Sequence, residues 1–101
     1  MNTLTNSSTN HRVHKQIENR KQQDLERLRG FLAQPSVSQA GAEDVRECAK
    51  LLLSYFSELG CHEVDLVETP GLPAVWAYFD AKAPKTVAIY AYFDTNVLGT
   101  N

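Results

Sequence analysis

Apolar positions recur at helical spacing in two stretches of this chain, then alternate with polar ones, then run together without a break. From Val13 to Ala33 the residues are rich in helix formers, and Val13, Ile17, Leu25, Leu28, Phe31 and Leu32 form a thin stripe. The stripe lapses at Lys21. The pattern therefore predicts a helix whose first half is solvated and whose second half docks. Pro35 ends it, because proline disfavours helical geometry at Gln34 and lacks a backbone donor. PSVSQAGAED then reads as a loop. A second helix is predicted over Ala42–Leu59, where Val45, Cys48, Ala49, Leu52, Phe56 and Leu59 share one face. Glu43 and Asp44 suit the positive end of that helix, and Gly60 stands where a C-terminal cap belongs.

The period then changes. In HEVDLVE, Val64 and Leu66 fall on one face and Glu63 and Asp65 on the other, as in a half-exposed strand. Thr69-Pro70-Gly71 is a turn signal, and Pro73 to Phe79 resumes an extended pattern with Val75, Trp76, Tyr78 and Phe79. The short spacing predicts a hairpin. Core or sheet packing is the default role for Trp76 and Tyr78, with a ligand platform as the lesser alternative. Asp80 to Pro84 forms a second turn.

Val87 to Phe93 carries no polar interruption, which predicts a strand buried on both faces. The fold class expected is α/β, with two helices packed on a mixed sheet made of a hairpin plus this buried central strand. Such a strand needs neighbours on both sides and layers above and below. Two helices and a hairpin supply only part of that, so the chain reads as the front portion of a longer protein or a fragment with one raw sheet edge.

Composition narrows the classes. The 101 residues are 43% hydrophobic and 22% charged, with a formal net charge of −2. That balance gives no reason to expect nucleic acid, which selects for clustered Lys and Arg. No apolar run approaches the roughly 18 residues that span a bilayer. MNTLTNSSTN lacks the basic start and apolar block of a secretory signal and reads as a disordered polar tail, residues 1–12. Cys48 and Cys61 do not make a disulfide framework, and with no export signal they point to the cytoplasm.

Several residues invite a chemical reading and a plainer one. Cys48, on the apolar helix face, is a small hydrophobe. His62 follows Cys61 at a helix-to-strand turn and reads as a solvated turn residue. His11 and His14, in or next to the tail, are not at the i,i+4 spacing of a helical metal pair. The mixed charges from Glu18 to Arg29 read as a solvated helix face, with Lys21 and Asp24 within reach at i,i+3. Asp94 ends the apolar run and begins a turn with Thr95-Asn96. Tyr92 is an aromatic at a strand end, its hydroxyl reaching water or Asp94.

The order of FLAQPSVS, LGCHEVDLVET, GLPAVWAYF and TVAIYAYFD resembles the N-terminal segment of the M20 family of zinc metallopeptidases, over about Gln22 to Leu98. The first three pieces look particularly like its dipeptidase branch. The resemblance implies a hydrolase acting on dipeptides or N-acyl amino acids at a two-zinc centre. It also implies a role for the end of the apolar run, where the family carries His-x-Asp. There the histidine binds zinc, and the aspartate bonds the other imidazole nitrogen, fixing its tautomer. This chain reads Tyr92-Phe93-Asp94. Asp94 matches the carboxylate, whereas Tyr92 occupies the histidine position and is a poor zinc ligand. The family's remaining ligands fall beyond the end of this sequence.

The expectation is therefore residues 13–101 as the N-terminal portion of a metallopeptidase-like catalytic domain. Its metal site is incomplete, no zinc is held by this chain alone, and the isolated chain is inactive. The alternative is a degenerate, non-catalytic member serving in binding or assembly, with self-association through an exposed sheet edge.

Overall fold

The computed structural model describes residues 3–95. The apolar Val97-Leu98 pair and the Asn96 half of the turn expected after Asp94 lie outside them. The chain divides into two compact units, Met1–Leu32 and Ala33–Asn101.

The first unit is built from helix α1, Thr3–Ala33, of 31 residues. The helix begins ahead of Val13, where the periodic pattern starts. Asn, Ser and Thr nucleate helices poorly, but extending an existing helix adds one hydrogen bond per residue with no new nucleus. Along its stripe Val13, Ile17, Leu28 and Leu32 are exposed. Charge pairing differs in detail from the expectation for Lys21. Asp24 instead takes Arg20 at 3.9 Å and Arg27 at 3.4 Å, one turn to either side.

The second unit holds a 3₁₀ turn, Ser38–Ala40, helix α2, Ala42–Leu59, and strands β1, Glu63–Val67, and β2, Ala74–Tyr78. Helix α2 has the predicted bounds, with Glu43 and Asp44 in its first turn. Gly60 closes it at φ 90° and ψ 25°, a left-handed conformation that an L side chain adopts only with strain. Its N–H donates to the Ser57 carbonyl, and the Cys61 N–H reaches back to Phe56 at 3.1 Å. These are the paired bonds of a Schellman ending.

The two strands form an antiparallel hairpin in which Glu63 faces Tyr78, Asp65 faces Trp76 and Val67 faces Ala74. Exposure alternates along both strands, so Val64, Leu66, Val75 and Ala77 make the inner face, as the alternation predicts. Helix α2 packs against both strands. Val45, Cys48 and Ala49 are buried at this seam. Burial also raises the pKa of the Cys48 thiol, which keeps it protonated and inert. Trp76 and Tyr78 stand on the outer face rather than in a core, and the Trp76 indole N–H donates to Glu63 at 3.0 Å.

The mixed α/β character holds, but the sheet does not have the expected form. Among the described residues it is two-stranded and antiparallel, with one isolated parallel bridge between Val37 and Thr95. Val87 to Phe93 is not a buried central strand. Val87, Ile89, Tyr90 and Tyr92 are 80–90% exposed. An uninterrupted apolar run can be buried on both faces only where chain exists to cover both, and the described residues place nothing there. Among these residues no helix is long and apolar enough to cross a membrane.

One ion pair ties α2 to the hairpin loop. Arg46 meets Glu68 through two hydrogen bonds, at 2.9 and 3.1 Å. The pairing lowers the pKa of the Glu68 carboxyl, chiefly through the hydrogen bond. A carboxyl whose pKa is depressed by folding contributes stability above its unfolded pKa and loses it as pH falls through the folded value. Thermal melts taken from neutral pH down through about pH 4 should show Glu68→Gln levelling part of the acid-side loss. Parallel wild-type and variant curves would mean the pair does not couple to folding.

Candidate functional site

Asp94 is the only residue the sequence assigns to a site, and its position depends on a distant contact. The Thr95 N–H donates to the Ser36 carbonyl at 2.8 Å, and the Ser38 N–H donates to the Thr95 carbonyl at 3.3 Å. These bonds make the Val37–Thr95 bridge. The Ser36 and Thr95 hydroxyls lie 3.4 Å apart, and Ser36 is the one buried polar residue among those described. The far end of the apolar run is thus pinned to the PSVS loop, with Asp94 exposed beside the anchor.

Ser36 and Thr95 carry this arrangement and were not singled out by sequence reasoning. The available signal was a serine in the loop after Pro35, but its partner lies 59 residues away and nothing local indicates the pairing.

The near end of the run is held by a polar turn. His62 accepts the Asp80 N–H on Nδ1 at 2.9 Å and donates its own N–H to the Tyr78 carbonyl at 2.7 Å. Its ring also meets Tyr78 and Phe79. His62 is exposed, as expected of a turn residue, but it also latches the base of the hairpin. Asp80 accepts the Lys82 N–H at 2.9 Å and pairs with the Lys82 ammonium at 3.3 Å. Those bonds hold the Asp80 pKa below the ordinary carboxylate range. They also steady Lys82 in a left-handed conformation, φ 57°, which turns the chain out of β2.

Tyr92 sits against Tyr90, with ring centroids 5.4 Å apart and planes at 72°. This edge-to-face arrangement is the one aromatic pairs prefer. The Tyr90 phenol gains a hydrogen bond from this pairing, which raises its pKa. Tyr92 therefore finds a neighbouring phenol two residues back, where sequence reasoning gave it water or Asp94. Tyr92 and Asp94 are two residues apart in the chain, and within the same unit His62 turns to Tyr78, Phe79 and Asp80. Among the described residues no group of three or more His, Cys, Asp and Glu converges to hold a metal ion. This donor set does not by itself fit a zinc site.

In comparisons with known proteins, no family model, no curated protein and no solved structure matches the chain.

Proposed function

We propose that the chain is a module of an M20-like zinc-dependent peptidase or amidohydrolase of the cytoplasm, acting on dipeptides or N-acyl amino acids. Asp94 takes the position of the carboxylate that steadies a zinc-binding imidazole, and Tyr92 stands where that imidazole would be. The order of the four sequence pieces from FLAQPSVS to TVAIYAYFD supports this reading. The observation that carries it is the seat of Asp94, at the end of the apolar run and next to a backbone anchor on Ser36 and Ser38. A carboxylate that orients another side chain has to be held in place by its surroundings. The reading predicts that the purified chain, supplied with zinc, shows no metal-dependent hydrolysis of dipeptides or N-acyl amino acids. Robust turnover abolished by a chelator would contradict the claim that the site is incomplete here.

A second reading is favoured by a separate observation. Val87, Ile89, Tyr90 and Tyr92 are all exposed to solvent. Exposed apolar patches of this kind mark interaction sites. On this reading the chain is a non-catalytic member kept for binding or assembly.

A further inference from the structure

We propose that residues 86–94 pair antiparallel with the same segment of a second copy, forming a closed two-fold dimer centred on Tyr90. The proposal rests on the assembly reading and is independent of any zinc chemistry. Three observations carry it.

The first is an unused edge. Among the described residues no backbone hydrogen bond engages 83–94, while Thr95 spends both its N–H and its C=O on Ser36 and Ser38. Along an extended chain the backbone groups of successive residues point to opposite edges. The edge of Thr95 is therefore the edge of Phe93, Ala91, Ile89 and Val87. The other edge carries Asp94, Tyr92, Tyr90, Ala88 and Thr86. That outer edge is open to a second chain.

The second observation is composition. VAIYAYF is rich in β-branched and aromatic residues, with no charge, proline or glycine, the signature of segments that pair with copies of themselves.

The third is charge. Lys85 precedes the run and Asp94 follows it. Parallel in-register pairing sets like charges side by side at each end, whereas antiparallel pairing carries the two Lys85 residues, and the two Asp94 residues, to opposite ends of the ribbon. The outer edge also selects the register. A two-fold axis perpendicular to the ribbon places a residue opposite itself. With Tyr90 at the axis, Ala88 faces Tyr92 and Thr86 faces Asp94, so the whole run is paired.

Sedimentation equilibrium of the full chain over a range of concentrations tests this. A reversible monomer–dimer equilibrium is expected. Tyr90→Pro removes the central N–H on the outer edge, and its side chain is exposed, so the core is untouched. It should abolish the dimer while the thermal melt of the monomer stays unchanged. A chain that stays monomeric at every concentration overturns the proposal. So does association that Tyr90→Pro leaves intact. Open-ended growth in place of a dimer overturns the closed two-fold arrangement.

Discussion

Ala49→Glu is expected to unfold the 33–101 unit at neutral pH. Ala49 has 0% relative exposure and lies on the seam where α2 meets β1 and β2. A carboxylate there is stripped of water with no partner, at a cost of several kcal/mol. A folded unit of this length has a stability of about 3–10 kcal/mol, from the usual 0.05–0.15 kcal/mol per residue. The penalty is therefore comparable to the whole. Burial also raises the carboxyl pKa, because the neutral form is the one the core tolerates. The sign of the pH effect follows from that shift. The destabilisation is full above the raised folded pKa and relaxes as the pH falls toward the unfolded value, where the group is protonated in both states.

The tryptophan band of the near-UV circular dichroism spectrum, which reports on Trp76 in β2 and not on α1, should show no cooperative transition for the variant at pH 7. Some structure should return on mild acidification. Lys50→Glu provides a control, because its ammonium is more than half exposed and pairs with Glu47 at the surface. It should melt close to wild type, within about 0.5 kcal/mol. An Ala49→Glu melt within a few degrees of wild type would mean that α2 is not seated on the hairpin.

Sequence reading captured the elements whose causes are local. Helix α2 was legible because Val45, Cys48 and Ala49 repeat at helical spacing and Gly60 supplies the one residue type at ease at φ 90°. The hairpin was legible because Glu63 and Asp65 alternate with Val64 and Leu66 across a turn signal. The run from Val87 to Phe93 was misread because apolar character states what a segment could bury, while burial depends on what covers it. Its side chains instead stand open to solvent. Trp76 and Tyr78 show the same limit, since a strand pattern gives two faces without saying which one the helix will cover.

The candidate site divides in the same way. Tyr92 and Asp94 were legible through their two-residue spacing, and so was the absence of an imidazole two residues before the acid that ends the run. The anchor through Ser36, Ser38 and Thr95 was not, because two short polar stretches far apart in the chain carry no mutual signature until the fold joins them. The His62 latch was half legible. Its place at a turn followed from its neighbours, whereas its bond to the Asp80 N–H needed the strand register to close first.

The assignment of Tyr92-Phe93-Asp94 to the His-x-Asp position carries the functional account, and it predicts an energetic coupling between two positions. Tyr92→Asp or Tyr92→Phe cannot expose that coupling, because neither supplies an imidazole. Tyr92→His does, and Asp94 is already placed two residues on. A carboxylate that bonds the second imidazole nitrogen fixes the ring's tautomer and raises its basicity, typically worth 10–100-fold in metal affinity. Tyr92→His should therefore bind zinc more tightly than wild type. Adding Asp94→Asn, which keeps the shape and removes the charge, should weaken binding by about 10–100-fold.

Thermal melts of both variants should match wild type, since Tyr92 is 80% exposed and Asp94 is exposed as well. The decisive measurement is zinc calorimetry on these three proteins, each in a chain that also carries the other zinc ligands the resemblance implies. The account predicts tightening on Tyr92→His and loss of most of it on Asp94→Asn. Equal zinc affinity with and without the Asp94 carboxylate would contradict it and leave Asp94 as the polar end of an apolar run.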